Sequence, residues 1–270
     1  MDFSFELNYA LSVLFVTIFT VLFAWSVSDQ AGADISNRYH TIYDSEQRQN
    51  WEPENITRVR EHVDRTGDPN VMVEITAYPN TSPTPRQVEK AWNLYSKTYD
   101  NAVENDWFEL QNGLESGYFN WEGDTFHYPH QNYTRQSGTL NPDKPEFLMY
   151  YRDPENRSNF ILAGVMFQTS KVEKHGRQIG GPITRWHYHY FNPKICLAHW
   201  GAVSNVELIE ENGEKCPENT LVSDKSYEML HVWFVEHPKS QFSSDMVISE
   251  GVLKEGTKKL TKEKFISKHR

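Results

Sequence analysis

The sequence predicts an α+β protein that has an N-terminal transmembrane helix, a helical segment and then an antiparallel β-sheet or small barrel. Three observations predict it. Residues 7–28 carry no charged side chain, residues 84–119 repeat apolar side chains every three or four positions, and short apolar runs alternate with turn-forming residues after residue 120. The predicted divisions are an anchor or signal sequence (1–28), a stalk (29–70), a strand plus helical segment (71–119), a β-rich domain (120–253) and a basic tail (254–270).

The uncharged stretch 7–28 is long enough to cross a membrane. At about 1.5 Å per residue it spans roughly 30 Å of hydrocarbon. We favour a retained anchor, which makes the membrane a partner of this chain. The alternative is a signal sequence cleaved after Ser28 or Ala33, but Asp2 and Glu6 stand where such a sequence has basic residues.

Topology and charge limit the classes of partner. A single N-terminal span followed by one large domain most simply exports that domain, although Arg38 and Arg48 after the span weakly favour the opposite orientation. We therefore predict a single-pass membrane protein with an extracytoplasmic domain. A net charge of -10 gives no attraction to a polyphosphate backbone, so we expect no nucleic-acid partner.

The first elements after the span are defined by propensity and capping signals. The stalk is polar and includes a predicted helical stretch at residues 56–63. Residues 71–78 are β-branched and alternate in polarity, which predicts a strand. Thr84 is a suitable N-cap and Pro85 a suitable first helical residue for the segment that follows.

Four apolar runs after residue 120 predict the strands of the sheet. The first two, 147–151 and 160–167, are separated by turn-forming residues and so predict a hairpin. The other two are 183–191 and 228–235. The basic residues at 254–270 indicate either a solvated segment or one that contacts anionic lipid or an acidic partner.

Histidines are placed regularly on the last two predicted strands. Because strand side chains alternate between faces, His187 and His189 share one face. His231 lies opposite the aliphatic face formed by Leu230 and Val232. Two strands of one sheet can therefore present three imidazoles to a common point.

Neutral imidazole is a common ligand of transition metals, and three imidazoles with an open position form a catalytic type of site. We predict a mononuclear metal site at His187, His189 and His231, with His127 or His130 as a further ligand. The metal would be Cu, Zn or Fe, and the protein an oxidoreductase or a metal carrier. The alternative is a non-catalytic exported domain that binds a partner or small ligand, with structural histidines.

The sequence has no nucleophile elbow, P-loop or dinucleotide-binding motif, so it gives no support for hydrolase or nucleotide-dependent chemistry of the common kinds.

The segment Gly181–His189 (GPITRWHYH) resembles the first cupin motif, in which a glycine and five further residues precede His-x-His on a strand. That resemblance implies a β-barrel with a histidine-ligated metal. The glutamate that a cupin places a few residues later is replaced here by Phe191–Lys194, so the resemblance ends at His189.

A longer segment resembles a family of exported bacterial and archaeal proteins. The shared features are a helical stretch ending in Gly117-Tyr118, a loop histidine at His127, the strand Pro145–Tyr150 (PEFLMY) and the strand Leu230–Phe234 (LHVWF). This resemblance implies one exported domain and singles out His127 and His231, but it supplies no reaction.

The two cysteines, Cys196 and Cys216, lie between the last two histidine strands. Outside the cytoplasm such a pair most often forms a disulfide, which we predict. The alternative is a copper site in which Cys196 and His199 are ligands.

Overall fold

The computed structural model describes residues 57–61, 71–77, 82–120, 126–135, 140–205 and 215–269, without the side chains of residues 57–61, 71–77, 192–193 and 202–205. The predicted span 7–28 lies outside these residues. Within the described part of the chain, no helix combines the length and the hydrophobicity needed to cross a membrane.

Nine strands of the described residues form one antiparallel sheet that curls into a half-barrel. In chain order they are β1 (Thr57–Glu61), β2 (Val71–Ala77), β3 (His127–Pro129), β4 (Phe147–Arg152), β5 (Phe160–Gln168), β6 (His187–Ala198), β7 (Gly201–Asn205), β8 (Leu221–Lys225) and β9 (Met229–Trp233). The main path through the sheet is β1-β2-β6-β9-β5-β4-β3, and β7 and β8 pair with β6. The predicted α+β class with an antiparallel sheet is confirmed.

Two strands differ from the sequence predictions. β1 occupies part of the stretch 56–63, where we predicted helix, and it pairs with β2 through Thr57↔Ala77. β6 begins later and ends later than predicted. Gly181–Ile183 forms a 3-10 turn, and the strand continues beyond Pro193 across a register shift between Tyr190 and Ile195.

Four helices accompany the sheet in the described residues: α1 (Pro85–Glu104), α2 (Leu110–Glu115), α3 (Glu250–Glu255) and α4 (Lys262–Lys268). The predicted start of α1 is confirmed. The Thr84 hydroxyl accepts from the Gln87 amide, and the Gln87 side chain accepts from the Thr84 amide. This capping box satisfies two amides that the helix leaves unpaired.

The sheet buries a different set of side chains on each face. We call the side packed against α1 the α1 face. Its buried members include Leu148, Tyr150, Leu162, Val165, Phe167, Leu230, Val232 and Phe234, together with Val88, Leu94 and Tyr95 of α1 and Phe265 of α4. The other side, the histidine face, buries a second apolar cluster that includes Phe147, Met149, Tyr151, Ala163, Met166, Met229, Trp233 and Val235 together with Leu253 of α3.

The basic segment after residue 254 packs against α1. Phe265 is fully buried and lies with its ring centroid 5.5 Å from that of Trp92. Lys259 and Lys262 form ion pairs with Asp100 and Glu89 of α1. Our expectation of a solvated segment is therefore wrong, since an apolar side chain every few residues attaches this stretch to the core.

Candidate histidine site

The structure brings together the four histidines that the sequence singled out. The ring centroids of His187 and His231 are 4.6 Å apart, those of His127 and His231 are 5.9 Å apart, and those of His187 and His189 are 5.8 Å apart. Strand alternation places all four on the histidine face. β6 supplies His187 and His189, β9 supplies His231 and β3 supplies His127.

The curl of the sheet is what brings His127 into this group. β3 and β9 are separated by β4 and β5 in the sheet, so in a flat sheet they would lie about 14 Å apart. The 5.9 Å between the rings of His127 and His231 is possible because the strands bend around their common interior. A histidine from the sheet edge thus reaches one from its centre.

Burial keeps the central imidazoles neutral. His187 is 0% exposed and His231 is 1% exposed. The pKa of His187 is lowered to about 3, chiefly by burial and also by repulsion from His127 and Arg185, although the hydrogen bond to the Arg185 carbonyl raises it. Burial also holds the pKa of His231 well below its usual value, with added repulsion from His187, His127 and His189. Both rings therefore keep a lone pair at neutral pH.

Backbone carbonyls determine which nitrogen carries that lone pair. Nδ1 of His231 lies 3.2 Å from the Ser243 carbonyl oxygen, and Nδ1 of His187 lies 3.4 Å from that of Arg185. A carbonyl can only accept, so each neutral ring holds its proton on Nδ1 and its lone pair on Nε2. Both Nε2 atoms are buried and have no hydrogen-bond partner among the described residues.

Two other buried histidines use both of their ring nitrogens. Nε2 of His130 lies 3.0 Å from the Ser116 carbonyl oxygen, and its Nδ1 accepts from the Asn132 and Tyr133 amides. His130, our other candidate loop ligand, packs on Tyr118 and Tyr133 beside the α1 face, so the structure separates it from the cluster.

His237, the other such histidine, lies after β9. Its Nε2 contacts the Asp245 carbonyl oxygen at 3.0 Å, and its Nδ1 accepts from the Lys239 amide. His130 and His237 are thus fully bonded. Nε2 of His187 and His231 in the cluster, and of His269 outside it, is buried without a hydrogen-bond partner among the described residues.

The ring separations in the cluster match those of imidazoles that share a metal ion. With metal–nitrogen distances of about 2.0–2.1 Å and tetrahedral angles, the centroids of two ligated rings lie about 5 Å apart. The donor atoms do not converge as they stand. In the described residues, no group of three or more His, Cys, Asp or Glu side chains is arranged so that it could hold a metal ion. Binding would therefore require rotation of the rings about their side-chain bonds.

Cys196 and Cys216 form a disulfide, with their Cα atoms 5.5 Å apart. The predicted pairing is confirmed. It excludes the alternative in which Cys196 and His199 bind copper, because a thiolate is no longer present. The bond attaches the distal half of β6, the strand that carries His187 and His189, to the segment before β8.

Sequence reasoning missed the methionines of the histidine face. Met229 is the register partner of His187, and Met166 is the register partner of His231. Met166 occurs in an apolar run that has no histidine, whereas Met229 lies two residues before His231, so alternation alone places it on the same face. The contacts of Met166 with His231 and of Met229 with His187 depend on the pairing of β9 with β5 and β6, which no local pattern encodes.

No known protein family, curated protein or solved structure matches this chain, so the two resemblances noted from its motifs stay predictions.

Proposed function

We propose that this chain is a membrane-anchored, extracytoplasmic protein that binds one transition metal ion through His187 and His231, with His127 and His189 as further ligands. One observation carries the proposal. Two fully buried imidazoles, 4.6 Å apart between ring centroids, each leave Nε2 without a hydrogen-bond partner in the described residues. Leaving such a group unsatisfied costs about 1–3 kcal/mol.

The contacts of Nδ1 support the same proposal. A histidine that ligates a metal usually donates its other ring N–H to a carbonyl or carboxylate, which fixes the tautomer and the ring orientation. His231 has this arrangement with Ser243, and His187 has a longer version with Arg185. The alternative, an exported binding domain with structural histidines, predicts bonded nitrogens of the kind seen in His130 and His237.

Burial favours a metal carrier over an oxidoreductase that turns over a large substrate. The four imidazoles are between 0% and 9% exposed, with His127 and His189 at the more exposed positions. A site this enclosed suits retention and transfer of an ion better than access by an organic molecule.

The disulfide supports an extracytoplasmic location. Disulfides persist in oxidising compartments and are rare in the cytosol, where thiols are kept reduced. Together with the uncharged stretch 7–28 it favours an anchored protein whose sheet faces the oxidising side. Alkylation of membranes with a maleimide, with and without prior reduction, tests this location. We expect Cys196 and Cys216 to react only after reduction, and reaction in unreduced membranes would contradict it.

Elemental analysis of the full-length chain in detergent tests metal binding. The protein would be incubated separately with Cu, Zn and Fe, freed of excess ion and measured by plasma mass spectrometry. We expect about one ion per chain for at least one metal, and loss of that ion in a His187→Leu/His231→Leu variant.

A His130→Gln/His237→Gln variant is the control, because it removes two buried imidazoles outside the cluster. Circular dichroism of each variant checks that the fold is intact. Retention of all bound metal in the folded His187→Leu/His231→Leu variant would overturn the proposal. So would the absence of binding by the wild-type chain for all three metals.

A further inference from the structure

The histidines of the cluster face methionines across the strands. His187 pairs with Met229, His231 with Met166 and His127 with Met149. Directly paired residues of an antiparallel sheet point to the same face, with their Cβ atoms about 4.5–5.5 Å apart. Three of the four imidazoles that we assign to the metal, all except His189, therefore have a methionine thioether beside them.

These methionines are restricted to one side of the sheet. Met149, Met166 and Met229 are at most 8% exposed and belong to the apolar cluster of the histidine face. The α1 face, which is larger, is filled by aliphatic and aromatic side chains and includes no methionine among its described members. Methionine often fills irregular gaps in a core. A gap-filling role does not explain why methionine occurs beside the histidines and is missing from the described members of the α1 face.

Among the described residues, no carboxylate is seen to act on the two central histidines. The groups that shift the pKa of His187 and His231 are other histidines, Arg185 and backbone carbonyls, and no carboxylate of the described residues is among them. The cost of burying an ion rises with the square of its charge, so an uncompensated divalent ion costs about four times as much as a univalent one. Thioethers are soft ligands and select Cu(I).

We infer that the metal is Cu(I), held by Nε2 of His187 and His231 together with Sδ of Met166 and Met229. These four side chains come from three adjacent strands, β6, β9 and β5. All four ligands are neutral, so binding releases no proton and leaves a single positive charge in the interior. The inference rests on the proposed function, since it names the ion and assigns Met166 and Met229, in place of His127 and His189, as the ligands that complete the site of His187 and His231.

Competition for Cu(I) against a chromophoric chelator, under anaerobic conditions, tests the inference on the full-length chain. Zn(II) and Co(II) are titrated in parallel. We expect one Cu(I) per chain, and an affinity reduced by about tenfold or more in a Met166→Leu/Met229→Leu variant. This substitution conserves volume and is well tolerated in cores. Met246→Leu is the matched control, since Met246 is partly buried in the same cluster but pairs with no histidine.

The possible outcomes separate the inference from the proposed function. If Zn(II) or Co(II) binds and Cu(I) does not, or if the methionine double variant keeps its full Cu(I) affinity, the inference is overturned while the metal site stands. If no ion binds, both fail. X-ray absorption of the Cu(I)-loaded wild-type chain gives a second readout that needs no variant. We expect sulfur scattering, and a shell of nitrogen alone would also overturn the inference.

Discussion

The two faces of the sheet differ in the hydrogen bonding of their buried polar atoms. On the α1 face, two deeply buried tyrosine hydroxyls have partners. The Tyr150 hydroxyl donates to the Trp107 carbonyl at 2.6 Å, and the Tyr118 hydroxyl donates to that of Pro145 at 2.9 Å. On the histidine face, Nε2 of His187 and Nε2 of His231 lack such partners in the described residues. The same strands contribute to both faces, so the difference arises from residue choice at alternate positions.

We therefore expect the α1 face to contribute more to the free energy of unfolding than the histidine face. Aromatic rings contact one another on the α1 face. The ring centroid of Tyr95 lies 6.4 Å from that of Tyr99 and 5.8 Å from that of Phe265. Unsatisfied buried groups are expected where function requires them. The five experiments below compare the two faces, and all measure unfolding of the full-length chain in detergent.

The largest loss is expected from Phe234→Ala on the α1 face. Phe234 is fully buried and its ring centroid lies 5.1 Å from that of Tyr99. Removal of a buried aromatic ring costs about 3–5 kcal/mol, because a cavity remains. Denaturant unfolding measures the change. A loss below about 1 kcal/mol would show that the α1 face is not the main source of stability.

Metal binding should stabilise the protein through the histidine face. At a concentration one hundred times its dissociation constant, an ion that binds only the folded state raises the free energy of unfolding by about 2.7 kcal/mol. We expect this gain in wild type and in His130→Gln, and its absence in His187→Leu. Thermal unfolding with and without a chelator measures it, and an equal gain in all three proteins would place the ion elsewhere.

His130→Leu tests the cost of removing a fully bonded histidine. The change leaves the Ser116 carbonyl and the Asn132 and Tyr133 amides without their partner. We expect a loss of about 1–3 kcal/mol in chelated protein. An unchanged free energy of unfolding would mean that water replaces the imidazole at no cost, which would weaken the comparison.

Acid should destabilise the chelated protein. Burial lowers the pKa of His269, which packs against Phe265, to about 4. The unfolded state then binds more protons than the folded state between about pH 6.5 and 4, so stability falls as the pH falls through this window. One buried group contributes at most about 1.4 kcal/mol per pH unit, and this partly exposed ring contributes less. His269→Gln should flatten part of the slope. An identical slope in that variant would locate the acid sensitivity entirely in other groups.

The smallest change is expected from His231→Leu in chelated protein. The Ser243 carbonyl keeps the hydrogen bond from Trp233 Nε1 at 2.8 Å, so no new unsatisfied group appears. Removal of a buried nitrogen that has no partner should be neutral within about 0.5 kcal/mol, or stabilising. A loss as large as that of His130→Leu would show that His231 is a structural histidine and would erase the distinction between the faces.

Local patterns were enough to predict the elements and the orientation of their side chains. Thr84 and Pro85 predicted the start of α1 because capping depends on neighbouring residues alone. Alternation along 183–191 and 228–235 placed His187, His189 and His231 on one face, because the side-chain period of a strand is two. These parts of the site needed no knowledge of tertiary structure.

The remaining features depend on pairings between distant segments. β1 was missed because its partner β2 stabilises a sequence with little strand character of its own. The meeting of His127 with His231 depends on sheet order and curl, and the pairing of Met166 and Met229 with histidines depends on register. A shift of one residue in register would move each of these side chains to the other face. No single segment contains that information.

The contact between α4 and α1 has a consequence for biosynthesis. The Leu260 amide donates to the Tyr95 hydroxyl at 2.8 Å, across a sequence separation of 165 residues. At about 5–20 residues per second, a ribosome needs about 10–30 s to make that intervening chain. The aromatic core cannot close during this interval, and α1 emerges with its apolar stripe exposed. The chain therefore cannot complete its core until its last hundred or so residues, including Leu260, have been made.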